Sequence, residues 1–156
     1  TRQVLTPPSL SFLQKLQLQA VCEDFLFVHA TPECPAAWEY IMNEDEAYSN
    51  FLCFPHHICF CGHSHYPVVF VQRESGDVVH DRSMRIKIHP GCRYIINCGS
   101  VGQPRDGNPR ACYGVYDSQT ETYRLERVPY DIATAQQKIV RAGLPAILAR
   151  RLGAGR

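Results

Sequence analysis

Two short apolar runs, each ending at a histidine, constrain this chain most strongly. Phe25–Val28 is followed by His29, and Ile58–Cys61 is followed by Gly62-His63-Ser64-His65. Neither run alternates apolar with polar residues, a pattern typical of strands that are covered on both faces in an α/β sheet. Ligands gather beyond the carboxyl ends of such strands, so if the two strands are neighbours we expect the three imidazoles to meet in one crevice.

The rest of the sequence predicts mixed α/β architecture in a single domain over residues 1–156. A helix begins after Thr6 and its apolar spacing continues to about Gln19, and residues 36–51 predict one or two helices. A closing helix is capped by Asp131 and runs to about Arg141, and a further one is predicted over 144–152. Between these helices lie short strand-like pieces separated by Gly, Pro, Asn and Asp, over residues 68–72, 78–80, 84–88, 93–97, 112–116 and 122–128.

Composition narrows the function classes. The apolar runs are far shorter than the roughly 18 residues of a membrane helix, so no membrane span is predicted. The net charge of +1 creates no global field for nucleic acid or anionic lipid, so any anion site is local. Most of the eight cysteines lie in apolar stretches, which favours reduced, buried thiols and a cytoplasmic location. Nothing in the sequence indicates an oligomeric state.

The H-x-H pair of His63 and His65 is the first candidate metal site. In an extended loop two such residues point the same way, with Cα atoms roughly 6–7 Å apart, so they can serve one ion or two adjacent ions. Gly62 lets the backbone turn before them. A rival interpretation is a structural zinc site formed by Cys59, Cys61, His63 and His65, although four alternate residues of one extended segment wrap poorly around one ion.

Three segments together resemble a known family. Residues 62–67 (GHSHYP) follow an apolar strand, Val28-His29 lies about 30 residues earlier, and residues 97–107 (NCGSVGQPRDG) come later. In this order they resemble the C-terminal half of the calcineurin-like metallophosphoesterase superfamily, in the branch of small bacterial phosphodiesterases and diadenosine tetraphosphatases. The resemblance covers nearly the whole chain, with Ala30 and Cys98 standing where the family usually has Gly and Pro.

This resemblance implies a fold, a reaction and a ligand set. The fold is part of a four-layer sandwich of two mixed β-sheets flanked by helices. The reaction is hydrolysis of phosphoric esters at two divalent ions, among Mn, Zn, Fe and Mg, which lower the pKa of a water molecule and orient its attack. By resemblance His29 and His63 bind one ion and His65 binds the other. The substrate is a phosphate ester of undetermined kind, and no catalytic acid or base is assigned.

A second candidate site lies in the Gly- and Pro-punctuated loop around Ser100 and Arg105. Backbone N–H groups and an Arg in such a loop can bind a phosphate, which makes both residues candidates for substrate binding. The alternative is that the loop only reverses the chain, with Arg105 paired locally to Asp106. A further alternative for the whole protein is a non-catalytic interaction module that keeps the fold with a degenerate metal site.

The motifs of the family's first half are missing from this sequence. It has no D-x-H, G-D-x-x-D or G-N-H-[DE] segment, and these supply the bridging carboxylate, the Asn ligand and the histidine that assists the leaving group. We therefore expect a fragment of a longer protein or an incomplete gene model, inactive by itself. We also expect it to fold poorly, because the strands ending at His29 and Ser64 need neighbours on both edges and cover on both faces.

Overall fold

A computed structural model describes residues 4–156 and confirms the α/β class. Thr1, Arg2 and Gln3 lie outside the described residues. Over that range no helix is long and apolar enough to cross a membrane. In chain order the described elements are α1 (Pro7–Gln14), β1 (Gln19–Cys22), β2 (Phe25–Val28), α2 (Glu44–Phe51), β3 (Ile58–Cys61), β4 (Val68–Gln72), β5 (Val78–Asp81), β6 (Arg85–Lys87), β7 (Arg93–Asn97), β8 (Ala111–Asp117), β9 (Thr122–Val128), α3 (Ile132–Arg141) and α4 (Ala146–Ala154).

The strands form two sheets. The larger is mixed, with strand order β1-β2-β3-β7-β4-β5, in which β2, β3 and β7 run parallel and the outer pairs are antiparallel. The smaller has the order β6-β9-β8 and is antiparallel. The predicted α/β fold with two sheets and flanking helices is confirmed, and in the described range the smaller sheet is purely antiparallel. A short turn joins β8 directly to β9, and so short a connection permits only antiparallel pairing.

The first helix is shorter than its apolar spacing predicts. Thr6 caps α1 as expected, but the helix ends at Gln14. Residues 19–22 instead form β1, paired antiparallel with β2. This pairing also corrects the expectation about sheet edges, because β2 lies between β1 and β3, and β3 lies between β2 and β7. Both strands that end at the histidines therefore have two neighbours from within this chain.

The larger sheet has an apolar cluster on each face. One cluster packs the sheet against α2 and includes Phe51 and Phe70, and the other lies between the two sheets and includes Tyr94 and Tyr123. The smaller sheet covers one face of the larger sheet unevenly. Along one row of paired residues Ile96 is 0% exposed, Phe60 is half-buried and Phe27 is 42% exposed. That face is therefore covered at β7 and open at β2, next to the end that carries His29.

Candidate metal and phosphate site

Pairing of β2 with β3 brings two of the predicted histidines together. The strands are parallel neighbours, so His29 and residues 62–65 follow them at the same edge of the sheet. The Gly62 N–H donates to the His29 carbonyl at 3.1 Å, which ties the two strand ends to each other. His29 Nε2 lies 3.2 Å from His63 Nδ1.

A backbone carbonyl sets the tautomer of His63. Its Nε2 lies 2.9 Å from the Trp38 carbonyl oxygen, which can only accept, so the ring carries its proton on Nε2 and a lone pair on Nδ1. His29 Nε2–H then donates to that lone pair. If the His29 proton moves to its Nδ1, both facing nitrogens present lone pairs to the same point.

The donor set fits a transition-metal ion. Two imidazole nitrogens bound to one ion at about 2.0–2.1 Å stand roughly 2.9–3.4 Å apart for octahedral to tetrahedral angles. The 3.2 Å separation of His29 Nε2 and His63 Nδ1 falls in this range. Across residues 4–156, however, no third His, Cys, Asp or Glu joins them in a cluster that could hold an ion. The pair alone therefore offers two donors, fewer than the four to six that a bound divalent ion takes.

His65 lies beside this pair with a separate anchor. Its Nδ1 is 2.7 Å from the Gln103 carbonyl oxygen, so Nδ1 carries the proton and Nε2 keeps its lone pair. Burial lowers the pKa of His65, the Gln103 carbonyl opposes that effect, and the charges of Arg105, His29 and His63 lower it further. Burial and then His63 lower the pKa of His29. Both shifts favour the neutral imidazole, the form that binds metals.

The loop that carries His63 and His65 is not extended, which corrects the sequence expectation. Both residues have φ of 60°, and the Ser64 N–H donates to the Gly62 carbonyl at 2.6 Å, closing a three-residue turn around His63. Such left-handed non-glycine residues cost about 1–3 kcal/mol each and persist only where surrounding contacts hold them. The directions of the two imidazoles therefore come from this turn rather than from a period of two along a strand.

Asn97 at the end of β7 supplies those contacts. Its side chain is 3% exposed, and its Nδ2 donates to the Gly62 carbonyl at 2.7 Å and to Ser64 Oγ at 2.9 Å. Its Oδ1 accepts the Gly99 N–H at 2.9 Å. In the sequence Asn97 stands out only as the first residue of the segment 97–107. The available signal was its position, since a polar residue directly follows the apolar residues 94–96 of a buried strand.

Arg105 lies against the histidines and is not paired with Asp106. The Arg105 N–H donates to the His65 carbonyl at 3.2 Å, and Arg105 Nη1 lies 3.5 Å from the Tyr40 hydroxyl. In the described part of the chain the buried Arg105 Nε has no hydrogen-bond partner. Asp106 instead forms a largely buried ion pair with Arg127 of β9, so the interpretation of a local Arg105–Asp106 pair is wrong.

Ser100 organises the same loop. Its Oγ accepts the Gln103 N–H at 2.9 Å, and the Gln103 carbonyl in turn holds His65. The hydroxyl proton of Ser100 is not used in that bond. Ser100 is therefore linked to the candidate site indirectly. Its hydroxyl bonds Gln103, and Gln103 bonds His65.

The two cysteines of the proposed zinc site lie in the core instead. Cys59 and Cys61 belong to the apolar cluster between the larger sheet and α2. Burial raises the pKa of Cys59 to about 12 and raises that of Cys61, whereas zinc binds the thiolate. His63 and His65 meanwhile donate to the carbonyls of other segments. The four residues do not converge on one point, so the structure does not support a structural zinc site here.

Comparisons with known proteins agree with this fold. No family model matches the chain. An uncharacterized protein of Methanocaldococcus jannaschii is 36% identical over 162 residues, which cover 100% of this chain and 63% of that protein. A hypothetical protein of Pyrococcus horikoshii superimposes with a TM-score of 0.70 at 16% identity, over 96% of this chain and 55% of that one, and shows the fold alone.

The third similar protein has a named biochemical class. A metallophosphoesterase from Sphaerobacter thermophilus superimposes with a TM-score of 0.88 at 38% identity, over 100% of this chain and 64% of that one. The chain thus spans less than two thirds of the length of each of these relatives. This likeness supports the calcineurin-like superfamily indicated by the sequence motifs, and the chain has the fold of the corresponding part of a metallophosphoesterase.

Proposed function

We propose that this chain supplies the histidine ligands and a phosphate-binding arginine to the two-metal site of a phosphoesterase. His29 and His63 hold one divalent ion and His65 holds the other. The observation that carries the proposal is the 3.2 Å approach of His29 Nε2 to His63 Nδ1, with the second nitrogen of His63 anchored on a carbonyl. The ions, when bound, neutralise phosphoryl oxygens and lower the pKa of a water molecule at the site.

The chain's own residues orient the ligands and the substrate. The Trp38 and Gln103 carbonyls hold the rings of His63 and His65 in one tautomer each. The guanidinium of Arg105 presents a planar fork of N–H donors to the phosphoryl group. Among the described residues its Nε has no hydrogen-bond partner and its Nη1 contacts only the Tyr40 hydroxyl, so the guanidinium keeps donors that protein groups do not use. We assign the remaining hydroxyl proton of Ser100 to the same phosphate.

We also propose that the chain is the C-terminal part of a larger metallophosphoesterase domain. The missing part would supply the bridging carboxylate and the Asn-His pair. Two observations favour this proposal: the chain matches only 64% of the Sphaerobacter chain, and Phe27 is 42% exposed beside a groove of about 430 Å³ that ends at His29 and Gly62. By itself the chain is inactive, since two adjacent dications repel one another when only neutral imidazoles surround them.

The proposal also covers the branch of the superfamily and the cellular location of the protein. Residues 97–107 favour the branch of small bacterial phosphodiesterases and diadenosine tetraphosphatases. A cytoplasmic location is favoured by the cysteines, which are free thiols throughout residues 4–156, as expected in a reducing compartment.

Metal binding is the direct test. We expect His63→Ala to weaken Mn²⁺ binding, measured by calorimetry, by more than about tenfold. The matched control is His57→Ala, because His57 lies in the same β3 region but its Nε2 contacts the His89 carbonyl. Equal losses in the two variants would contradict the ligand assignment.

Hydrolysis of a chromogenic phosphodiester tests the reaction. The 156-residue chain with Mn²⁺ should show no turnover above its His65→Ala variant. The longer protein, with the carboxylate motifs present, should show turnover that His65→Ala abolishes. Turnover by the short chain would refute the requirement for the missing part, whereas metal binding without turnover in the longer protein would favour the non-catalytic module.

A further inference from the structure

We propose that Trp38 and Tyr40 form an aromatic clamp for the organic part of the substrate, which would be a phosphate ester that carries a planar aromatic ring. The proposal rests on the proposed function, since the phosphoryl group is placed at the histidines and Arg105. The shared chemistry is a flat ring linked to a phosphate, and its source is either a nucleotide or an aryl phosphate.

Both rings flank the histidine pair. The Trp38 ring centroid lies 5.5 Å from that of His29 and 5.6 Å from that of His63. The Tyr40 centroid lies 4.8 Å from that of His63. The two side chains are nevertheless 52% and 46% exposed, so each touches the site with one part and presents the rest outward.

The backbone holds Trp38 in this position at a cost. Trp38 has φ of 58° and ends the 3-10 turn formed by Pro35–Ala37. A bulky residue in the left-handed region is strained, and such strain concentrates at ligand sites. Half-exposure of the ring means that burial in the core does not offset the strain. The same residue's carbonyl fixes His63, so its backbone serves the candidate metal ligand while its ring remains available.

Tyr40 connects the ring-binding region to the phosphate-binding region. Its hydroxyl lies 3.5 Å from Arg105 Nη1, and its ring contacts His63. A ligand with its phosphoryl group on Arg105 therefore has an aromatic surface beside it. Stacking of one base on one aromatic side chain changes affinity by about five- to a hundredfold, which is enough to set a preference among phosphate esters.

The experiment compares four probes by calorimetry on the protein loaded with Mn²⁺. Phenyl phosphate and adenosine monophosphate carry a ring, and ribose 5-phosphate and inorganic phosphate do not. We expect at least one ring-bearing probe to bind about tenfold or more tightly than ribose 5-phosphate. Preference for adenosine monophosphate identifies a nucleotide site, and preference for phenyl phosphate identifies an aryl-ester site.

Variants assign the preference to the two rings. Trp38→Gly removes the ring and keeps the left-handed backbone that holds His63, and Tyr40→Ala removes the second ring. Each should reduce the preference for the ring-bearing probe by about five- to tenfold, and Trp38→Phe should restore most of it. Tyr48→Ala is the control, because Tyr48 is also 49% exposed but lies on α2 and contacts none of the histidines.

Fluorescence gives a second readout that does not depend on turnover. Trp38 is the only tryptophan of the chain, so the ring-bearing probes should quench its emission and ribose 5-phosphate should not. Equal affinity for all phosphate probes would overturn the clamp and leave the proposed function intact. A preference that survives both Trp38→Gly and Tyr40→Ala would also overturn it. Absence of any phosphate binding in the presence of metal would overturn the clamp and the proposed function together.

Discussion

Asn97→Ala removes the side chain that ties the turn around His63 to the end of β7. Three hydrogen bonds are lost together, two to residues 62 and 64 and one from Gly99. The orientation of the amide is unambiguous, because the Gly62 carbonyl only accepts and the Gly99 N–H only donates. The variant therefore takes one of two donors from the Gly62 carbonyl, which keeps the Ser64 N–H, and one of two from Ser64 Oγ, which keeps the Tyr66 N–H. It also removes the acceptor of the Gly99 N–H.

The size of the effect follows from burial. Asn97 and Ser64 are 3% and 7% exposed, and each of the three lost hydrogen bonds contributes about 0.5–1.5 kcal/mol. Gly62 and Gly99 are half-buried, so water can replace part of the hydrogen bonding that their backbone groups lose. We expect a total loss of about 2–4 kcal/mol in the free energy of unfolding, or roughly 5–15 °C in the melting temperature for a chain of this size.

The functional readout separates this role from ordinary packing. Relaxation of the strained turn at His63 should weaken Mn²⁺ binding by about ten- to a hundredfold, as for other residues that orient metal ligands. The control is Asn50→Ala, another buried asparagine, whose side chain bonds the Glu33 N–H and the Glu46 carbonyl. It should lose stability and keep the metal affinity. Equal metal affinities in the two variants would refute the positioning role of Asn97.

Three further predictions concern stability and thiol reactivity. Asp106→Asn should cost about 3–5 kcal/mol in urea unfolding, because it leaves the largely buried Arg127 charge unpaired. Glu126→Gln, in the more exposed ion pair with Arg124, should cost less than about 1 kcal/mol, and similar losses in the two variants would contradict this. The His80 side chain lowers the pKa of Glu44, so that carboxylate stabilises the fold above the ordinary carboxyl range and the contribution is lost as pH falls through its lowered pKa. The stability difference between wild type and Glu44→Gln should therefore be present at neutral pH and vanish at pH values below the lowered pKa of Glu44, and a difference independent of pH would refute the pairing. A thiol reagent at neutral pH, followed by peptide mapping, should label the exposed cysteines well before the fully buried ones, whose pKa burial raises; the fast set is Cys22, Cys34 and Cys53, and the slow set is Cys59, Cys61 and Cys112.

Patterns within short stretches of sequence correctly predicted the strands and helix caps that depend on neighbouring residues. The unalternating runs at β2 and β3 and the Asp131 cap of α3 are where the sequence indicates them. The helical spacing of Leu13 and Leu16 predicted a helix to about Gln19, but α1 ends at Gln14. These side chains are 47% and 56% exposed, so no buried face extends the helix. Strand β1 forms through hydrogen bonds to β2, a partner that no local periodicity can indicate.

In the candidate site, too, features set by nearby residues could be predicted and features set by distant residues could not. The meeting of His29 and His63 follows from two strand ends that the sequence indicates. The left-handed turn that aims His63 depends on Asn97, which lies more than 30 residues away in the chain. The partner of Asp106 is on β9, across a turn and a strand. Trp38 falls in residues 36–51, for which the sequence predicts one or two helices, because nothing in its neighbours encodes the position of a ring beside residues 29 and 63.

The anchors of the histidines have a chemical consequence for metal binding. His63 is held by the Trp38 carbonyl and His65 by the Gln103 carbonyl, not by carboxylates. A carboxylate partner would make the opposite nitrogen a stronger donor, and a neutral carbonyl fixes the tautomer with a smaller increase in basicity. The imidazoles of this chain are therefore well oriented but only moderately strong ligands. Under the proposed function, the missing part of the domain supplies the carboxylates that raise the metal affinity and balance the charge. We therefore expect metal affinity to rise steeply when the proposed longer protein replaces the 156-residue chain.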